Sequence, residues 1–148
     1  MIGLLPRRLL QTLGSLFGIL LFYSRSKSRR ITAINLARCL PEADPRGNHR
    51  LIQDSLIATC QTALETPAVW SKNSKHLLTW IDRQYGENYL LTALASDQGV
   101  LLLVPHIGNW ELYNAFYSET VGQLTALFKP PKQKAMARII ERVRMRYG

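Results

Sequence analysis

Val100-Leu101-Leu102-Leu103-Val104 is an uninterrupted apolar run of five, closed by Pro105. No other feature of the chain constrains its fold as tightly, because such a run suits a strand buried on both faces. A helical pattern over residues 109–119 follows it, then Gly122, then a second apolar run over 124–128. Lys129-Pro130-Pro131 closes that run, and an amphipathic helix is expected over 132–147. Upstream, residues 79–82 read as a short strand, 87–96 as helix and Asp97-Gln98-Gly99 as a turn. Strand, helix, strand, helix predicts an α/β fold, a parallel unit behind a helical N-terminal region. A parallel sheet needs both faces covered and more strands than two or three. The chain therefore reads as an incomplete domain.

The N-terminal part has a different grammar. Residues 9–23 read LLQTLGSLFGILLFY, fifteen residues without a charge, flanked by Arg7-Arg8 and by Arg25, Lys27, Arg29 and Arg30. A full bilayer span needs about 20 apolar residues. The small-x-small cleavage site of a secretory signal is missing from the residues that follow. The expectation is an uncleaved helix over 1–24 that lies in a membrane interface or spans it at a slant. A buried helix of a soluble protein is the plainer alternative. Residues 28–40 then read as helix ending at Pro41, and Asp44-Pro45 supplies a cap and first-turn proline for the next. That helix carries Ile52, Leu56, Cys60 and Ala63 on one face and is expected to fade before Pro67.

Charge narrows the partners. Nineteen basic residues against ten acidic ones give the 148-residue chain a net charge of +9. Seven basic residues fall from Arg7 to Arg38, ahead of the first acid, Glu42, and seven more fall from Lys129 to Arg146 with only Glu141 among them. Two such clusters imply an anionic partner: nucleic acid, a lipid surface or a phosphorylated substrate. No nucleic-acid recognition motif is evident, and the apolar run beside the first cluster favours lipid. Cys39 and Cys60 offer neither a disulfide framework nor metal-ligand spacing, so no metal and no cofactor is expected.

The candidate site is Pro105-His106-Ile107-Gly108-Asn109-Trp110-Glu111, at the carboxyl end of the expected buried strand. On one continuous helix, His106 and Glu111 would stand about 140° apart. They meet only if Gly108-Asn109 turns the chain and caps the next helix. A carboxylate accepting from one imidazole nitrogen would leave the other free as a base, and the helix N-terminus offers backbone N–H groups to an anion. That arrangement activates a hydroxyl. The spacing alone is a weak signal, since it arises by chance in roughly one such chain in five. A histidine at a strand end and a glutamate favoured by a helix dipole explain it equally well.

Resemblance adds specificity. His106-Ile-Gly-Asn-Trp-Glu111 resembles the His-x-x-x-x-acid motif of the lysophospholipid acyltransferase superfamily, and its Glu and Gly-Asn-Trp setting resemble the lipid A biosynthesis (lauroyl and myristoyl) acyltransferases. Arg29-Arg30-Ile31 with Asn35-Leu36 and Leu40-Pro41-Glu42 resembles that family's early helix. Phe128-Lys129-Pro130-Pro131 and Arg144-Met145-Arg146-Tyr147-Gly148 resemble two of its later segments. The resemblance implies that His106 deprotonates a hydroxyl of a lipid A precursor, with Glu111 orienting it. The hydroxyl then attacks an acyl thioester carried on acyl carrier protein. It also implies a bacterial inner-membrane location, on the cytoplasmic face, with membrane lipid as a partner. No acyl-enzyme is expected, since no Gly-x-Ser-x-Gly elbow is present.

Substrate contacts are expected from Gly108 and Asn109 at the turn, and from Lys129 and Arg144. Arg144 lies about 70° from the centre of the last helix's apolar stripe, at the border from which a guanidinium reaches phosphate or a developing oxyanion. A snorkelling surface arginine is the alternative. Family members continue well past this point, so residues 25–148 read as the N-terminal part of an acyltransferase domain. Met1 reads as a genuine start and the missing part as C-terminal. Alternatives are an acyltransferase for another glycolipid or phosphoglycerol acceptor, and a non-catalytic membrane-binding fragment.

Overall fold

In the computed structural model, residues 2–41, 44–96, 98–127 and 129–145 are described. They form a short 3-10 turn, Ile2–Leu4, and seven α-helices: α1 (Arg7–Tyr23), α2 (Lys27–Cys39), α3 (Pro45–Ser71), α4 (Ser74–Leu78), α5 (Glu87–Leu94), α6 (Trp110–Thr120) and α7 (Lys134–Arg144). The chain divides into two compact units, Met1–Ser71 and Lys72–Gly148.

In the first unit α1 packs along α3, with α2 and the 3-10 turn against α3 as well. The approach of α1 to α3 is set by Gly14 and Gly18. A Cβ on Gly14 would sit 2.6 Å from the Gln61 Cα, and one on Gly18 would overlap the Ile57 backbone. Polar side chains cross the same seam. Gln11 Nε2 donates to Glu65 Oε1 at 3.0 Å, Gln61 Nε2 donates to Ser15 Oγ at 2.9 Å, and the Arg7 guanidinium lies 3.5 Å from Glu65. Leu10, Phe22, Leu56, Ala68 and Val69 are the buried apolar residues here. Helix α2 starts where the Ser26 hydroxyl accepts from the Arg29 N–H, and Arg29 stacks over the Phe22 ring at 4.7 Å. Helix α3 does not fade before Pro67 but runs through it to Ser71. An interior proline costs a helix about 3 kcal/mol. Burial of Ala68 and Val69 in the turn after it offsets that cost.

In the second unit α4 packs on α6, with Leu77 and Ala115 fully buried on the two helices. The fold class expected from sequence, α/β with a parallel sheet, is corrected here: every regular element among the described residues is a helix, and none is a strand. Residues 79–82 open instead as a continuation of α4, the N–H groups of Thr79, Trp80 and Ile81 donating back to His76, Leu77 and Leu78. Residues 100–104 do alternate in exposure, as extended chain does. Val100 and Leu102 are half-buried, but Leu101 is 88% and Leu103 87% exposed. A strand exists by pairing, and among the described residues neither this run nor residues 124–127 pairs with another backbone. The strand buried on both faces that the apolar run predicts is therefore absent: one face of the run is exposed and no ladder forms on it. Of the other expected features, Glu42, Asp97, Phe128 and residues 146–148 lie outside the described residues.

Candidate active site

The segment from Pro105 to Glu111 folds as a turn and a helix start. Ile107 N–H donates to the Pro105 carbonyl at 2.8 Å, a three-residue turn that reverses the chain just at His106. Gly108 follows with φ +60, a left-handed conformation that a side chain disfavours. Asn109 is the N-cap residue of α6, and its carbonyl accepts from Leu112 N–H at 3.1 Å. The turn forms where Gly108-Asn109 is expected to supply it, and Asn109 takes the N-cap position, but its side chain makes no capping hydrogen bond.

His106 and Glu111 are placed differently. His106 is exposed, its ring 4.4 Å from that of Trp110. Glu111 sits in the first turn of α6, where the helix dipole favours a carboxylate, and is only 5% exposed. No hydrogen bond joins the two side chains. The Glu111 carboxylate is held instead by Arg144, whose Nη2 donates to Oε1 at 3.2 Å, and by Asn114, whose Nδ2 donates to Oε2 at 3.4 Å. Arg144 is the last residue of α7, where a cation is favoured, so the ion pair joins a helix start to a helix end with both dipoles satisfied. The border position of Arg144 was legible in the sequence; its partner was not. Asn114 was not anticipated, although it lies three residues after Glu111, the spacing at which helix side chains meet. Lys129 lies exposed on the irregular chain before α7 and is not joined to His106 or Glu111.

A cavity of about 420 Å³, within the range of about 300–1,000 Å³ usual for small-ligand sites, lies against a different face of α6, about 150° around the helix from Glu111. Asn109, Gln84 and Glu87 give it polar edges. Its walls are mainly apolar, from Leu102, Leu90, Ile81 and the α6 face of Leu112, Tyr113 and Phe116. Leu102 is the inward residue of the apolar run, so the alternation at 100–104 gives the cavity one wall. Burial, and secondarily the neighbouring Tyr117, push the Tyr113 hydroxyl pKa up, so Tyr113 keeps its proton and can donate a hydrogen bond. Among the described residues no group of three or more His, Cys, Asp or Glu side chains is placed to hold a metal ion. The arrangement holds a fixed carboxylate on one face of α6 and an apolar cavity against another, with an accessible imidazole at the turn before the helix.

The sequence matches the family described as bacterial lipid A biosynthesis acyltransferase over residues 1–148. No curated protein and no solved structure matches the chain.

Proposed function

Starting from a chain that belongs to the bacterial lipid A biosynthesis acyltransferase family, we propose that it transfers a fatty acyl group from the thioester of acyl carrier protein to a hydroxyl of a lipid A precursor, with His106 as the base. The observation that carries this reading is the clamped carboxylate. Glu111 is buried five residues after an accessible histidine and fixed by Arg144 and Asn114, and another face of the same helix, Leu112, Tyr113 and Phe116, lines an apolar cavity suited to an acyl tail.

In the proposed reaction His106 takes the hydroxyl proton, and the oxygen attacks the thioester carbonyl. The tetrahedral intermediate collapses with cleavage of the C–S bond, and the imidazolium returns its proton to the departing thiolate. The products are an ester and a free thiol, and no bond to the protein forms. Glu111 steadies the imidazolium. A carboxylate offers about four lone-pair sites, and Arg144 and Asn114 occupy one on each oxygen. A further site therefore remains for an imidazole N–H once His106 leaves Trp110 and turns inward. Gly108 and Asn109 are assigned to the substrate carbonyl or a phosphate at the start of α6, the end of a helix whose dipole favours negative charge. Lys129 is assigned to precursor phosphate, and Arg144 doubles as Glu111's anchor and a contact for developing negative charge. The site is assigned to the cytoplasmic face of the inner membrane.

The test is an acyl-transfer assay of the chain, supplied with acyl carrier protein carrying a fatty acyl group and with lipid A precursor in detergent micelles, read by mass spectrometry. The expected product is precursor heavier by one acyl group, with the protein mass unchanged. An acylated protein, or transfer to a phosphoglycerol acceptor in preference to the lipid A precursor, would overturn the reading.

A further inference from the structure

Helix α7 turns a row of cations to solvent. Lys134, Arg138 and Arg142 recur every four residues, within an arc of about 80° at helical spacing, and all three are exposed. By itself the row is unfavourable for the helix. Like charges four apart repel one another, and Lys134 stands in the first turn, where the dipole disfavours a cation and no acid is present. None of the three is in an ion pair among the described residues. Exposed Ala135 and Ile139, the latter 49% exposed, form the next row around the helix. The helix is fastened at its C-terminal end, where Val143 is buried and Arg144 holds Glu111, so the row runs up to that carboxylate.

Spacing and charge identify what fits there. At 1.5 Å per residue the row from Lys134 to Arg142 is about 12 Å long, too long for a single phosphate group. Carboxylates repeating every four residues on a second helix match it charge for charge, as ion pairs do along packed helices. A small apolar side chain of that helix would seat on Ala135 and Ile139. A second copy of the chain would instead bring two rows of like charge together. No helix among the described residues is long and apolar enough to cross a membrane, and α7 lacks the Trp, Phe and Leu with which interfacial helices enter one.

We propose that the exposed face of α7 is the docking surface for the thioester-bearing carrier protein, an acidic helix of which lays its carboxylates on Lys134, Arg138 and Arg142. The partner's identity rests on the acyl-transfer reading above. A carrier seated there presents its thioester at the end of α7 where Arg144 holds Glu111. The three cations act on donor binding and take no part in the chemistry.

The experiment uses the full chain and acyl carrier protein loaded with a fatty acyl group. Binding is read by fluorescence anisotropy of labelled carrier. Transfer to lipid A precursor is read by mass spectrometry, from the loaded carrier and from an acyl thioester of pantetheine, a donor without the carrier. Carrier binding to the unaltered chain should weaken with salt. Arg138→Glu with Arg142→Glu should weaken it by about tenfold or more and raise KM for the loaded carrier alike, with kcat and the rate from acyl pantetheine unchanged. Helix content by circular dichroism should be retained, because both residues are exposed. Arg138→Gln with Arg142→Gln should give a smaller loss of the same kind. A carrier whose acidic helix carries lysines instead should regain binding to the charge-reversed chain. Three outcomes overturn the proposal: a carrier that does not bind the unaltered chain, binding that neither pair of substitutions changes, or an equal loss of transfer from both donors. An unaltered chain that binds the carrier through α7 but transfers nothing overturns the acyl-transfer reading and leaves the docking surface standing.

Discussion

Replacing Arg144 with alanine removes the cation from a carboxylate that has little water. The Glu111 side chain is 6% exposed and that of Arg144 28%. Removing one partner of a fully buried ion pair costs about 3–5 kcal/mol. Arg144 keeps partial contact with solvent, so the pair is worth less than that limit, and about 2–3 kcal/mol is expected. The remaining Asn114 contact, at 3.4 Å, is too long to replace it. For a unit of this size the loss corresponds to a melting temperature lower by about 10–20 °C. Thermal and urea unfolding of Arg144→Ala, Glu111→Gln and the double variant close a mutant cycle that isolates the pair from other effects of losing the arginine. A coupling of about 1–2 kcal/mol is expected. A coupling below about 0.5 kcal/mol would mean that the guanidinium and carboxylate behave as an ordinary surface pair. Glu111 would then not be a fixed carboxylate at all.

Gly18→Leu forces a side chain into the Ile57 backbone, so it should separate α1 from α3 and destabilise the first unit by about 1–3 kcal/mol or more in urea titrations. Burial raises the folded-state pKa of Tyr113 above the ordinary tyrosine value of about 10. A raised pKa gives stability that is present below the unfolded value and lost as pH rises through the folded one. Tyr113→Phe should therefore flatten the alkaline fall in stability above about pH 10, measured by urea unfolding at successive pH values. Burial also raises the Cys60 thiol pKa, so a thiol reagent at pH 8 should modify the exposed Cys39 first and both cysteines equally in denaturant.

Helices were legible where local chemistry decides them. The helix read over 28–40 is α2, Lys27–Cys39, Asn109 opens α6 as expected, and the apolar run at 9–23 lies within α1. Pro67 misled because a proline's local penalty says nothing of the buried turn that follows it. The strands misled for a related reason. Residues 100–104 carry the apolar content of a strand, but a ladder depends on neighbouring backbone, which is a property of the whole fold. At the site, turn chemistry around Gly108 was readable because φ +60 suits glycine. The partner of Glu111 was not readable, because Arg144 lies 33 residues away and only packing brings it in. The sequence paired the carboxylate with its near neighbour His106, while the fold paired it with a distant cation.

Acyl transfer by His106→Ala, compared with the unaltered chain under identical supply of acyl carrier protein thioester and lipid A precursor, tests the central assignment most directly. His106 is exposed and contributes no hydrogen bond to the fold, so the variant should melt within about 0.5 kcal/mol of the parent. Its transfer rate should fall by about 10²–10⁴-fold, the usual worth of a positioned base. A folded variant that transfers acyl groups at the parental rate would contradict the account.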